Sequence, residues 1–97
     1  MLLSNKLKEL REQCELPQRK VAAALDIDTA TYCKIENGNY SPRKEKVIQL
    51  ADILKADKDE LVKLWLADKV YLVVKDEQQA NAVLNVVQEN MVEYGRQ

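Results

Sequence analysis

The 97-residue sequence predicts an all-α protein. It contains only two Gly and two Pro, and residues that favour helices make up most of the rest. Apolar residues recur three and four positions apart along most of the chain, which is the helical spacing. With 46% hydrophobic residues, the length suits one compact core and an appended segment. We therefore predict a five-helix domain over residues 1–66 and an amphipathic helical segment over residues 67–97.

The first helix is predicted over residues 4–15, with Ser4 as its N-cap. Its inward face is formed by residues spaced four, three and four apart: Leu3, Leu7, Leu10 and Cys14. Cys14 is therefore interpreted as a small core residue and not as a reactive thiol. Pro17 ends the pattern, because proline disfavours the helical conformation of the preceding residue and suits the start of a helix.

Two short helices are predicted over residues 18–25 and 29–37, separated by only three residues. A gap this short turns the second helix sharply away from the first, which is the geometry that presents a helix to a DNA major groove. Asp26, where the chain reverses, is expected to adopt a positive φ, and Asp28 to cap the second helix. From periodicity alone, the polar face of that helix fits a DNA groove and ordinary solvent equally well.

The fourth helix is predicted over residues 43–54, with an inward stripe of Val47, Leu50, Ala51 and Leu54. Its first turn contains Arg43, Lys44 and Lys46, although acidic residues are favoured at a helix N-terminus. This arrangement indicates an external anion such as phosphate, and a plain lysine-rich surface is the alternative.

A capping box of Asp57 and Glu60 predicts the fifth helix. Residues 69–75 are rich in strand-forming side chains, yet helical spacing continues through them. We favour a continuing helix, with a strand that pairs across a dimer as the alternative.

The last helix is expected to be capped by Asp76. The apolar surface of residues 66–94 exceeds what a five-helix core needs, which indicates dimerisation or binding of a partner protein. The alternative is a sixth helix that closes the monomer core. The residues expected at a dimer interface are Val70, Val73, Val83, Leu84, Val87 and Met91.

The charge of the chain is compatible with DNA binding without being diagnostic of it. The net charge is −1, but residues 1–50 have a net charge of +2 and residues 51–97 of −3. Neither a signal peptide nor a membrane-spanning window is recognisable, so a cytoplasmic protein with reduced cysteines is expected. The sequence has no His, Gly-rich phosphate loop or nucleophile motif, and we expect no enzyme, cofactor or metal site.

Residues 7–61 contain a combination of positions that is specific as a set: Arg11, Gln18, Ala22, Ile35-Glu36-Asn37-Gly38, Pro42, Leu50-Ala51 and Leu54. In this order they resemble the phage-repressor-like helix-turn-helix family, also called the Cro or XRE type. Three positions depart from the family pattern: Asp26 and Lys55 stand where Gly is usual, and Lys44 where an apolar residue is common.

The resemblance implies roles for the matching residues. Four residues occupy positions that face base edges: Thr29, Ala30, Thr31 and Lys34. Five occupy positions that contact phosphates: Gln18, Asn37, Asn39, Tyr40 and Arg43. Lys44, which does not match the family pattern, is expected to contact phosphate as part of the basic first turn of the fourth helix. Arg11 and Glu36 correspond to a structural salt bridge.

The sequence therefore predicts a DNA-binding transcriptional regulator. We expect a repressor that binds double-stranded DNA as a homodimer on a pseudo-palindromic operator. The alternative is a protein-interaction or antitoxin-like module that binds a partner protein through its C-terminal segment.

Overall fold

The computed structural model describes the backbone of residues 1–95 and the side chains of residues 1–92. This part of the chain forms six α-helices and contains no strand: α1 (Leu2–Gln13), α2 (Gln18–Ala24), α3 (Thr29–Glu36), α4 (Lys44–Ile53), α5 (Lys58–Val74) and α6 (Ala80–Gly95). The predicted all-α class is confirmed. Residues 69–74 continue α5, so the alternative of a dimer strand is wrong. The predicted domain boundary after residue 66 falls inside α5.

The first five helices enclose one hydrophobic core. α5 packs against α4 and α1, and α2 packs against α3. The predicted inward stripe of α4 is buried along its whole length. The largest fully buried side chains are Tyr32, Leu7, Leu25, Leu50, Leu54, Leu61, Val21 and Val47. Because these residues come from all five helices, the angle between α2 and α3 is held by the whole domain.

The N-terminus of α1 is capped from α5 and not by its own sequence. The carboxylate of Asp68 accepts hydrogen bonds from the backbone N–H groups of Leu2 (2.9 Å) and Leu3 (3.0 Å). The predicted cap residue, Ser4, lies within the first turn of α1 and is buried. Its hydroxyl donates to the carbonyl of Met1 (3.0 Å). The prediction of Ser4 as N-cap is therefore wrong, because an acidic side chain from another helix satisfies the free N–H groups.

The N-termini of the last two helices also differ from prediction. Asp57 accepts a hydrogen bond from the N–H of Asp59 (2.9 Å), while Glu60 pairs with Lys63 instead of completing a capping box. α6 begins at Ala80, four residues beyond Asp76. Residues 75–79 form turns that follow α5, so Asp76 is not at a helix start.

α1 to α4 are each followed, two positions after the last helical residue, by a residue with a left-handed backbone conformation. The φ angles are 57° at Glu15, 60° at Asp26, 78° at Gly38 and 57° at Lys55. Each end has the paired backbone hydrogen bonds of a Schellman motif, as in the bond from Ala56 N–H to the carbonyl five residues earlier (2.8 Å). Of these four positions, only Gly38 has the residue that adopts this conformation without steric cost. The positive φ expected at Asp26 is confirmed.

Lys55→Gly is expected to stabilise the protein by about 0.5–1 kcal/mol, because the left-handed conformation costs an L-residue about 1–2 kcal/mol and part of this gain is lost to the flexibility of unfolded glycine. Urea unfolding measures the difference. Lys55→Ala is the matched control, since it removes the same charge and side chain but keeps Cβ. Equal free energies of unfolding for the two variants would show that the left-handed conformation at Lys55 does not destabilise the protein.

Among the residues of α6 whose side chains the structure describes, 80–92, none belongs to the core. No other helix packs against α6 as extensively as α2 packs against α4. The large apolar side chains of residues 80–92 are exposed, from 38% at Leu84 to 68% at Met91. This does not agree with a sixth helix that closes the monomer core. No helix among residues 1–95 has the length and apolarity needed to cross a membrane.

Candidate nucleic-acid interface

A tight turn places α3 against α2. The N–H of Ile27 donates to the carbonyl of Ala22 (3.0 Å), and the half-buried Ile27 side chain packs against the core. Asp28 caps α3 by accepting a hydrogen bond from the N–H of Thr31 (2.6 Å), as predicted. Thr31 also lowers the pKa of the Asp28 carboxyl, through its side chain and its backbone N–H. The start of α3 is thus ordered by local contacts while its outer surface stays free.

The rotation of α3 about its axis is fixed by Tyr32 and Ile35. Tyr32 is completely buried and Ile35 is 3% exposed. The opposite side presents Thr29, Ala30 and Lys34 to solvent, with Thr31 half-buried beside them. The structure thus brings the four predicted base-contacting residues together on or beside the outer face of α3.

The loop after α3 and the start of α4 lie next to this face. Asn39, Arg43 and Lys44 are exposed, and Tyr40 is 50% exposed. A groove between α3 and α4 is lined by Thr31, a predicted base contact, and by Tyr40 and Arg43, two predicted phosphate contacts. In this groove, predicted base-contacting and phosphate-contacting residues therefore lie side by side.

Lys46 does not belong to the exposed basic cluster that the sequence indicated. Its Nζ donates a hydrogen bond to the carbonyl of Leu25 at the end of α2 (2.6 Å), and the side chain is half-buried. A cation at this place also interacts favourably with the partial negative charge of a helix C-terminus. Lys46 is therefore a structural tie between α4 and α2.

The predicted ion pair of Arg11 and Glu36 is present and fixes the end of α3 to α1. Arg11 Nε lies 2.6 Å from one carboxylate oxygen of Glu36, and Nη2 lies 3.1 Å from the other. The same guanidinium donates to the carbonyl of Leu16 (2.9 Å), in the turn before α2. One buried network thereby joins α1, the turn before α2 and α3.

Gln18 is turned towards this network. Its side-chain amide donates to Glu36 Oε1 (3.2 Å), and the residue is half-buried at the start of α2. This contact braces α2 against the end of α3. The amide has a second N–H, which is the group available for the predicted phosphate contact.

Burial would raise the pKa of Glu36, but the hydrogen bonds from Arg11 and Gln18 outweigh it and hold that pKa below its usual value. Nearby, the hydroxyl of Tyr32 is buried without a hydrogen bond of good geometry. Burial, together with the Glu36 carboxylate, raises the pKa of Tyr32, so this side chain stays neutral. Glu36 is therefore the charged acceptor at the centre of the network.

Asn37 and Cys33 contact each other at the end of α3. The side-chain amide of Asn37 donates to the sulfur of Cys33 (3.5 Å), while Asn37 itself is exposed. Both cysteines are free thiols, and Cys14 donates to the carbonyl of Leu54 (3.4 Å). Residues 1–95 contain no cluster of side chains suited to hold a metal ion.

Two residues of α5 to which the sequence analysis assigned no role stabilise the segments next to this surface. Trp65 Nε1 donates to the carbonyl of Pro42 in the loop between α3 and α4 (2.8 Å), and Asp68 caps α1. A hydrogen bond from Trp65 could have been predicted from the sequence, because a buried tryptophan usually needs an acceptor for its indole N–H. No sequence pattern identifies which group is that acceptor.

The residues expected at a dimer interface are all on the surface. Exposure is 47% at Val70, 78% at Val73, 43% at Val83, 38% at Leu84, 52% at Val87 and 68% at Met91. They lie on α6 and on the last turns of α5, beyond the core formed by the first five helices.

A protein-family model described as a helix-turn-helix domain matches residues 2–64, about two thirds of the chain. The matched range includes α1 to α4, the loop before α4 and the first turns of α5. No curated protein and no solved structure gave a significant match.

Proposed function

Because the chain belongs to the helix-turn-helix domain family, we propose that it is a sequence-specific transcriptional repressor that binds a pseudo-palindromic operator as a homodimer. The observation that supports this best is the surface shared by α3 and the start of α4. There, small and polar side chains lie beside exposed cations, in the arrangement that a major groove and its flanking phosphates require.

The two parts of this surface have different tasks in the proposal. Lys34 can donate to O6 or N7 of a guanine, and the methyl groups of Thr29 or Ala30 can contact a thymine methyl. Asn37, Asn39, Tyr40, Arg43 and Lys44 contact the phosphates, which fixes the position of α3 on the duplex but gives no sequence information. Occupying an operator excludes other proteins from it, so repression is the simplest outcome.

The homodimer follows from the small size of the reading surface. A helix of eight residues reaches few bases, and a two-fold dimer doubles these contacts on half-sites about one helical turn apart. The exposed apolar side chains of α5 and α6 supply a surface for the second copy. Dimerisation also compensates for the net charge of −1, since two linked modules bind far more tightly than one.

A second candidate function is favoured by the same C-terminal surface. In an interaction or antitoxin-like module, this apolar surface would bind a different protein and the helix-turn-helix domain would serve mainly as a scaffold. Selection of bound sequences from random duplexes separates the two functions. A palindromic consensus with fixed spacing supports the repressor, whereas no enrichment supports the interaction module.

Lys34→Ala and Arg43→Ala are expected to weaken binding in different ways. The first should cost about 1–3 kcal/mol on the selected operator and relax specificity at one base pair in each half-site. Arg43→Ala should weaken binding to all duplexes equally. It should also reduce the slope of log affinity against log salt concentration by about one per protomer. Titrations at several salt concentrations measure both effects.

Lys8→Ala is the matched control, because it removes the same charge from an exposed position on α1. If Lys34→Ala shifted affinity equally for all sequences, Lys34 would be a phosphate contact and not a base contact.

A further inference from the structure

We propose that Trp65 is a positioning residue for DNA binding, which acts by holding the loop between α3 and α4 in the position where Tyr40 contacts the DNA backbone. The inference rests on the proposed function and assigns a role to a residue outside the set predicted to contact DNA.

The loop has few other restraints. Among the described residues, Tyr40, Ser41 and Pro42 take part in no backbone–backbone hydrogen bond. The bond from Trp65 Nε1 to the carbonyl of Pro42 (2.8 Å) is the one hydrogen bond that joins these three residues to the rest of the described chain. The orientation of the loop thus depends on this bond and on packing.

Packing beneath the loop is incomplete. A pocket of about 120 Å³ lies between Tyr40, Ser41 and Pro42 on one side and α5 and the start of α1 on the other. The pocket is large enough to admit water, and Tyr40 and Ser41 are exposed, so Pro42 is the one buried residue of the three. A directional hydrogen bond from a rigid helix supplies the restraint that packing lacks.

The donor itself is half-buried and packs against the core. Lys69 lies one turn further along α5, with its Nζ 4.6 Å from the centre of the Trp65 ring, within the range of a cation–π contact. Asp68, between them in sequence, binds the N-terminus of α1. Residues 65–68 of α5 therefore contact both α1 and the loop. Through its bond to Pro42, Trp65 fixes the position of the loop relative to α5.

Trp65→Phe tests the role, because phenylalanine keeps an aromatic ring in the core but has no N–H. We expect operator affinity to fall about fivefold to tenfold per protomer, the value of one hydrogen bond, with the base consensus unchanged. The dependence on log salt should stay unchanged, since the carbonyl of Arg43 accepts hydrogen bonds from the N–H groups of Lys46 (3.0 Å) and Val47 (3.1 Å), so that α4 and not the loop holds this cation. Unchanged affinity would overturn the proposal.

A double-mutant cycle with Tyr40→Phe, which removes only the phenolic hydroxyl that can donate to a phosphate, separates positioning from a general loss of stability. If Trp65 acts through the loop, Trp65→Phe should change affinity much less in the Tyr40→Phe background than in the wild type. Additive effects would overturn the proposal, as they would show that the two residues act independently. Urea unfolding of each variant confirms that the folded protein is being compared.

A measurement without DNA distinguishes failure of this inference from failure of the proposed function. Trp65 is the only tryptophan, so its indole N–H gives one resonance in the NMR spectrum of the free protein. Slow hydrogen exchange at that resonance is expected if the bond to Pro42 is formed. Rapid exchange would overturn the positioning role, whereas slow exchange in a protein that enriches no duplex would leave the bond intact and refute DNA recognition.

Discussion

Glu36→Ala is expected to lower the free energy of unfolding by about 3 kcal/mol, since removing one partner of a buried ion pair leaves the other charge without compensation. The side chain of Glu36 is 2% exposed and that of Arg11 is 14% exposed. The loss is at the lower end of the range for such pairs, because Arg11 keeps its hydrogen bond to Leu16. For a domain of this size, the melting temperature should fall by about 12–24 °C.

The matched control is Glu60→Ala, which breaks the pair with Lys63. These two side chains are 48% and 69% exposed, so the change should cost less than about 1 kcal/mol. Thermal and urea unfolding of both variants give the comparison. An unchanged melting temperature in Glu36→Ala together with lost DNA binding would make Glu36 a contact residue and not a structural one.

The pH dependence of stability provides an independent measurement of the same ion pair. Because the pKa of Glu36 is lowered in the folded protein, its contribution is present above the unfolded value of about 4.3 and is lost as the pH falls through the folded value. The stability difference between the wild type and Glu36→Gln should therefore shrink between pH 6 and pH 3. A difference that stays constant over this range would show that the charge of Glu36 contributes nothing.

Features that depend on neighbours in sequence were predictable. The positive φ at Asp26 and the N-cap at Asp28 follow from a three-residue connection, and the buried stripe of α4 follows from helical spacing. The outward face of α3 was predictable for the same reason, because burying Tyr32 and Ile35 fixes what remains exposed.

Features that depend on how helices cross were not predictable. Asp68 caps α1 from a distance of 66 residues, and Lys46 reaches the end of α2 although its sequence position suggested an exposed basic turn. The preferences for N-cap residues identify suitable residue types, but they do not show which residue will bind the free N–H groups of a helix. This explains the errors at Ser4 and Asp76. The partner of Trp65 is another such case, since its acceptor lies in a loop without a regular backbone pattern.

Val87→Asp combined with Met91→Asp is expected to convert the proposed dimer to a monomer and to reduce operator affinity by roughly 10²–10⁴-fold, the range gained by linking two binding modules. Ala80, Leu84, Val87 and Met91 follow one another at spacings of four, three and four, which forms an apolar seam along α6. Two carboxylates within that seam would lose their hydration in an interface, at a cost that a small dimer contact does not offset.

Since no residue of α6 among positions 80–92 belongs to the core, the variant should keep the helical content and the melting behaviour of the first five helices. Asn85→Asp is the control, because it adds a carboxylate beside Gln88 and Glu89 on the polar side of α6. Sedimentation measures the mass, and titration with a palindromic duplex and with a single half-site measures affinity. A monomeric variant that binds the palindrome as tightly as the wild type would refute the dimer. A variant that stays dimeric would place the interface on α5, around Val70 and Val73, where the same pair of measurements can be repeated with Val73→Asp.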